Sequence, residues 1–456
     1  MQGMKSNRRQ LLGGALKGGL AAFGLGSGSL SKLARASTPD KPPLHYVFCY
    51  FGGGWDVLVS LDPRDPVRFN SGNRRQTLIQ PAYEMLQGTN GNLIETRPGV
   101  TYGPFIGDLA QHSEKMAVVR GLSMETLAHE TGLRRFLTGR VPSGFLARGS
   151  AASTWLASRL GRDHAIPNLS VGVESYNVDQ PSYATAVGAN GVGDLLLALK
   201  PGGPAISVGQ DQHIDIALAE DAQCSAARRS RTWQTSEATR KKAHEMVAGN
   251  LGSKFDFMAS SLEMEQLRSR YGIQRNGNLG ASEVQLALAG QALVTGISRV
   301  VTVRASGGLD THFTEWATVQ GPNQRRGFNA IARLVEHLEG TEYQETGTSW
   351  LDHTVIMGFS EFSRTPMLND RGGRDHWFMN ACFLLGAGIK GGVAVGRSSD
   401  VGMEPTAINL DTGLPDPGGS VPRPEHVLQS LFVNAGMTND EADVRVPPLR
   451  AIMRPV

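Results

Sequence analysis

The chain has 456 residues, 40% of them hydrophobic, which is long and apolar enough to bury a large core and excludes a disordered chain. Its formal net charge of +3 is an N-terminal effect: residues 1–36 hold six cations (Lys5, Arg8, Arg9, Lys17, Lys32 and Arg35) and no acid, leaving 39 basic against 42 acidic side chains elsewhere. That balance removes the electrostatic case for nucleic acid as a partner.

Residues 1–36 contain the adjacent pair Arg8-Arg9, a weakly apolar run of glycine, alanine and leucine, and Ala34-Arg35-Ala36. This is the pattern of a twin-arginine signal peptide with a small-x-small cleavage site. It predicts a protein handed to the twin-arginine export machinery and located in the periplasm or secreted. The run is interrupted by Lys17, and it is too short and glycine-rich to span a bilayer. No later segment reaches the required length, so the mature form is expected without a membrane span.

After the polar leader at 37–43, residues 37–456 read as one α/β domain. Continuous apolar runs at Leu44–Phe51, Met116–Leu122, Arg299–Ala305, His353–Phe359 and Asn380–Gly388 predict strands buried on both faces. Helical patterns stand before the third run (SEVQLALAGQALVTG), after it (GFNAIARLVEHLEG) and near the end (PEHVLQSLFVNAG). Strands alternating with helices predict a mostly parallel sheet with helices on both faces. Between about 202 and 280 charged helical stretches dominate and no strand is evident, which reads as a helical insertion. Cys49, Cys224 and Cys382 are too few and scattered for a disulfide framework; Cys49 and Cys382 lie in apolar runs and are expected to be buried thiols.

In an open α/β sheet, ligands collect beyond the carboxyl ends of the strands. Asp56 follows the first run, Asp310 and His312 follow the third, and Glu361 and Arg364 follow the fourth. GGRDHW (Gly372–Trp377) comes a short loop later, with glycines pliable enough for Asp375 and His376 both to turn inward. Carboxylates and imidazoles together suit zinc, manganese or similar divalent ions. His129, Glu130 and Thr131 sit where a helix begins, a position that favours an anion, with Arg134, Arg135 and Arg140 nearby. GAGIKG (Gly386–Gly391) matches a dinucleotide fingerprint, but no helix or acidic residue completes it. GFSEF approaches a nucleophile elbow and makes Ser360 a reserve nucleophile, partnered by His376 or His426.

Taken in order, the leader, the glycine-rich turn with Asp56, GGLDTH, SEFSRTP and GGRDHW resemble the exported bacterial family known as domain of unknown function 1501, placed in the alkaline phosphatase and sulfatase superfamily. The resemblance implies an α/β/α sandwich holding one or two divalent ions: zinc in the phosphatases, manganese in the mutases, calcium in the sulfatases. It implies ligand roles for Asp56, Asp310, His312 and His376, with Glu361 where an Asp-His pair is expected, Phe362 in place of that histidine, and Asp375 as compensation. HETGLRRFLTGR resembles the sulfatase segment whose nucleophile precedes Leu-Thr-Gly-Arg, and it sets His129 at the nucleophile position with Thr131 two residues on. Three alternatives follow: Thr131 or an ion-activated water attacks, His129 serves as ligand or covalent nucleophile, or the site does not turn over. Arg364 and Arg140 would steady the anion. The expected function is an exported metal-dependent hydrolase of small-molecule or polymer phosphate or sulfate esters; the alternative is a secreted binding or assembly protein that keeps the fold.

Overall fold

The computed structural model describes residues 44–97, 99–199, 208–223, 249–438 and 444–455, with isolated positions between 225 and 246. The leader at 1–43, and with it the twin-arginine motif, lies outside the described residues, as does Cys224. The chain forms two compact units, the smaller including 196–255 and the larger 44–195 with 256–456.

The larger unit is built on strands β1 (His45–Phe51), β4 (Met116–Ser123), β5 (Asn168–Val171), β6 (Val187–Ala189), β7 (Val300–Ser306), β8 (Thr354–Phe359), β11 (Met379–Gly386) and β12 (Val393–Gly396). They form one eight-stranded sheet in the order β12-β4-β11-β8-β1-β7-β5-β6. All run in one direction except β11, which pairs antiparallel with both β4 and β8. Two ribbons stand apart, β2 (Ile94–Arg97) with β3 (Val100–Tyr102) and β9 (Ser363–Arg364) with β10 (His376–Trp377). Every residue of β1 is buried because β1 is hydrogen-bonded on both edges, to β7 and β8, and covered on both faces. That is why its sequence is a continuous apolar run rather than an alternating one.

Side chains alternate across the sheet. Tyr46, Phe48 and Tyr50 face a core shared with helices α1 (His129–Thr138), α2 (Ala152–Leu160) and α7 (Pro424–Asn434). Val427, Leu428, Leu431 and Phe432 of α7 are almost wholly buried there, each worth about 1.5–3 kcal/mol relative to exposure. On the other face Phe51 packs against Phe328, ring centroids 4.8 Å apart. Phe328 belongs to α6 (Gly321–Glu339), which packs with α5 (Ser282–Val294) over β7. The result is an α/β/α sandwich with a mostly parallel sheet. Helix α6 begins earlier than its apolar pattern, with Pro322 in its first turn, where a missing N–H costs nothing.

Helix α3 (Val208–Gln223) lies in the smaller unit. Helix α4 (Leu262–Tyr271), read from sequence as part of the insertion, belongs to the larger one, where Met264, Leu267 and Tyr271 are buried. Among the described residues, no helix is long and apolar enough to cross a membrane. Cys49 and Cys382 are buried free thiols whose pKa values burial pushes up.

Candidate metal centre at the carboxyl edge of the sheet

The carboxyl ends of β1, β4, β7 and β8 open on the same edge, because these strands run in the same direction. From β4 the chain reaches α1 and His129, and from β7 it reaches Asp310 and His312. From β8 it reaches Glu361 and Arg364, and β10 returns antiparallel to β9 so that His376 pairs with Arg364.

One oxygen is the centre of this arrangement. Asp310 Oδ1 lies 3.3 Å from His129 Nε2, 3.0 Å from His312 Nε2 and 3.3 Å from His376 Nε2. His312 Nε2 and His376 Nε2 are 3.0 Å apart. The donor atoms of His129, Asp310 and His376 all lie within 4.8 Å of one another, a spacing that a single cation can bridge. Asp310 and His312, two apart after β7, point the same way, as their spacing predicts.

The partners behind the rings fix their tautomers. His129 Nδ1 lies 2.7 Å from Glu361 Oε1, His312 Nδ1 2.6 Å from Asp375 Oδ1, and His376 Nδ1 2.6 Å from the Leu127 carbonyl. A carboxylate or a carbonyl only accepts, so each Nδ1 carries a proton, and in its neutral form each ring presents the Nε2 lone pair to the centre. Three lone pairs and a carboxylate oxygen facing one another is the donor set of a divalent ion, with the oriented rings that metal-ligating histidines require.

The electrostatics agree. Burial pushes the Asp310 carboxyl up, but the Arg364 hydrogen bond and charge outweigh it and hold the group below the usual carboxylate range. Burial likewise disfavours the charged form of Glu361, and the His129 ring overrides it, so Glu361 is ionised. Burial lowers the pKa of His376. His129 moves the other way: burial opposes its charged form, but the bond and charge of Glu361 raise its pKa.

Several residues singled out from sequence stand elsewhere. Asp56 is fully buried, its Oδ2 3.0 Å from Arg374 Nε and 2.8 Å from Trp316 Nε1, while Oδ1 caps the backbone at Leu58. It is turned away from the centre into an ion pair, so its expected ligand role gives way to a structural one. Glu361 and Asp375 are also not ligands in this arrangement; they stand behind His129 and His312. Both oxygens of Glu361 are engaged, Oε1 also by the Gly53 amide (2.8 Å) and Oε2 by the Ser360 hydroxyl (2.9 Å).

Arg364 has no donor left for a substrate anion. Nε donates to the Gly54 carbonyl, Nη1 to the Arg374 carbonyl and His312 Nε2, and Nη2 to the Gly53 carbonyl and Asp310. These are all five N–H groups of a guanidinium, so Arg364 positions Asp310. Arg140 follows the C-terminal end of α1, beside Gly149. A ten-residue helix puts it about 15 Å from His129, too far to share an anion with the centre. Thr131, in the first turn of α1, makes no hydrogen bond to the cluster among the described residues. Ser360 is fully buried, donating to the Phe51 carbonyl at 2.7 Å or to Glu361, and neither His376 nor His426 contacts it. It is a strut rather than a nucleophile. GAGIKG turns from β11 toward the strand β12, not into a helix, so it forms no dinucleotide unit.

Two contributors escaped the sequence reading. Phe362, fully buried, packs between His129 and His376, with ring centroids 4.7 and 4.5 Å away. Arg374 is buried within GGRDHW itself, bonding the carbonyls of Thr365, Gln80 and Pro81 as well as pairing with Asp56. Arginine next to glycine and aspartate reads as solvated, and no local pattern reveals its distant partner. The glycines are explained too: a Cβ on Gly373 would lie 2.2 Å from the His312 backbone, so only glycine lets this loop press against the segment carrying His312.

The chain belongs to the family of proteins of unknown function DUF1501, whose model matches residues 45–411. No curated protein sequence matches it. Among solved structures it is similar to Ps i-CgsB in complex with k-i-k-neocarrahexaose, at 9% identity and TM-score 0.38, covering 88% of this chain and 74% of that one. The lipoteichoic acid synthase LtaP from Listeria monocytogenes follows, at 8% identity and TM-score 0.37, with 91% and 79% covered. A magnesium-bound mutant of TAB5 alkaline phosphatase matches at 10% identity and TM-score 0.31, with 76% and 93% covered.

Proposed function

We propose that this protein is an exported hydrolase of phosphate or sulfate esters that works with a divalent ion held by His129, Asp310 and His376, and by His312 once its Nε2 exchanges the Arg364 hydrogen bond for the ion. The observation that carries the reading is the convergence of three imidazole Nε2 atoms, each with its Nδ1 proton committed elsewhere, on one oxygen of Asp310. Zinc and manganese suit these nitrogen and oxygen donors better than calcium, which prefers oxygen alone. A bound ion supplies Lewis acidity toward an ester oxygen and lowers the pKa of water. The chain supplies the geometry: Glu361 and Asp375 hold the rings, Arg364 holds Asp310, and Phe362 closes the space between two rings.

A second reading has its own support. No hydroxyl or thiol hydrogen-bonds Asp310 or the three imidazoles among the described residues, and every donor of Arg364 is occupied. A secreted binding or assembly protein that keeps an ion for structure fits those facts.

Elemental analysis of the natively exported protein, with His376→Ala and Asp310→Asn beside it, separates the readings when followed by a panel of aryl phosphates, phosphodiesters and aryl sulfates. Stoichiometric metal lost in both variants, together with turnover by the wild type, is the expected result. Metal that raises the melting temperature without any turnover favours the binding protein. No metal even after reloading with zinc, manganese or calcium overturns the ion-dependent reading.

A further inference from the structure

We infer that the cleft at the carboxyl end of β7 is a second anion subsite, so that the ester acted on carries at least one anionic group besides the one that reacts. The inference rests on the proposed hydrolase reading for its link to catalysis, but the subsite has its own evidence. The cleft has a volume of about 460 Å³, and its lining includes Arg304, Arg326, Gln274, Asn278, Glu283 and Gly307.

Arg304 is the exposed residue in a strand whose other six residues are buried. Arg326, on α6, is exposed too. Neither has a hydrogen-bond or ion-pair partner among the described residues, whereas the arginines around them are committed. Arg325 bonds the Gly88 and Pro104 carbonyls, Arg333 pairs with Asp108 and Glu336, Arg371 pairs with Asp375, and Arg364 and Arg374 are buried. Two guanidinium groups with free donor edges on one concave wall are suited to bidentate contact with phosphate or sulfate oxygens. Glu283 is the one carboxylate on the lining, so two positive charges face a single negative one. Gln274 and Asn278 add neutral polar groups that can serve the uncharged part of a ligand.

The wall is also fixed. The Ser306 hydroxyl donates to the Asn323 carbonyl at 2.9 Å, and the Asn323 amide donates to the Gly307 carbonyl at 3.1 Å. Those bonds tie the end of β7, with Arg304, to the helix that carries Arg326. Gly307 is three residues from Asp310, and three residues span at most about 11 Å even when fully extended. An oligomeric anion can therefore reach from the cleft to the histidine cluster.

The test is titration calorimetry on the metal-loaded full chain with three probes: orthophosphate, tripolyphosphate and a heparin-derived sulfated disaccharide. Wild type is compared with the Arg304→Gln/Arg326→Gln variant and with the corresponding double lysine variant, which keeps the charges. Both positions are exposed, so unchanged melting temperatures are expected. Tripolyphosphate or the disaccharide should bind wild type roughly tenfold or more tightly than the glutamine variant, with partial recovery in the lysine variant. Orthophosphate, which reads the cluster, should bind all three alike. The preferred polyanion then says whether the second group is a phosphate or a sulfate. Equal polyanion affinity in wild type and the glutamine variant overturns the subsite. Arginine-dependent polyanion binding in a protein that hydrolyses no ester supports the subsite while refuting the hydrolase reading, so the two failures are distinguishable.

Discussion

Asp56 and Asp375 are both aspartates paired with an arginine, and their surroundings give them opposite duties. Asp56 and Arg374 are both fully buried, so Asp56→Ala leaves a guanidinium without its counter-charge in the interior. That should cost about 3–5 kcal/mol, measured as a lower denaturation midpoint of the ion-free protein. Asp375 is 43% exposed and bonds His312 Nδ1. Asp375→Asn should leave the fold nearly as stable, yet weaken zinc or manganese binding by about 10–100-fold, as loss of a ring-orienting carboxylate does. Calorimetric melts and metal titrations of the two variants check the pair, and the reverse pattern would refute both assignments. In the sequence the two were indistinguishable, since each is a carboxylate after a glycine-rich turn. What separates them is Arg374 and Trp316, brought to Asp56 only by the fold. Asp310, His312 and His376 stand out in the sequence as candidate ligands because their motifs come after strands that end at one edge, whereas His129 reads there as a nucleophile position and only the fold brings it beside them. The supporting positions of Glu361 and Arg364 were not legible, because a charged residue beside a site reads the same whether it faces the ligand or stands behind it.

Helix α1 carries one of the three imidazoles, and its seating depends on a single missing side chain. A Cβ on Gly132 would lie 2.4 Å from the Glu361 carbonyl oxygen, backbone that cannot step aside. On propensity alone, Gly132→Ala gains about 1 kcal/mol in a helix. Here the clash should outweigh that gain, for a net loss of about 1–3 kcal/mol. It should also weaken metal binding, because pushing α1 outward carries His129 from Glu361. Thermal melts and a zinc titration test this, and a variant that is more stable and binds zinc normally would sink it. The elements themselves were largely readable. The long apolar runs became β1, β4, β7, β8 and β11 with ends shifted by a residue or two, because strands buried on both faces announce themselves. Strands β5, β6 and β12 have only three or four residues each, too few to show a period. The reversed direction of β11 was also hidden, since it follows from the short path through β9 and β10 rather than from composition.

At the scale of the whole molecule, acid should weaken the fold well above the range where carboxylates titrate. His337, on α6, is buried against Tyr271, whose hydroxyl lies 2.9 Å from its Nδ1. Burial pulls its pKa down to about 4, with the Arg270 charge acting the same way. Burial also lowers the pKa values of His45, His353 and His426. For a group depressed in the folded state, the unfolded chain binds the proton first. The stability attached to His337 is therefore fully present above about 6.5, the unfolded value, and is lost as pH falls toward 4. A shift of that size corresponds to about 3 kcal/mol for His337 alone. His129 opposes this in the ion-free protein: its raised pKa adds stability that is complete below the unfolded value and disappears as pH rises through the folded one. The depressed rings outnumber it, since burial lowers His112 and His376 as well, so unfolding free energy should decline between pH 6.5 and 4. Denaturant titrations at half-unit steps check this, with His337→Gln as the comparison. Its decline should be shallower by up to one proton, at most about 1.4 kcal/mol per pH unit. Parallel curves for the two proteins would mean that His337 is already neutral to the same degree in the unfolded chain, and the linkage would be refuted.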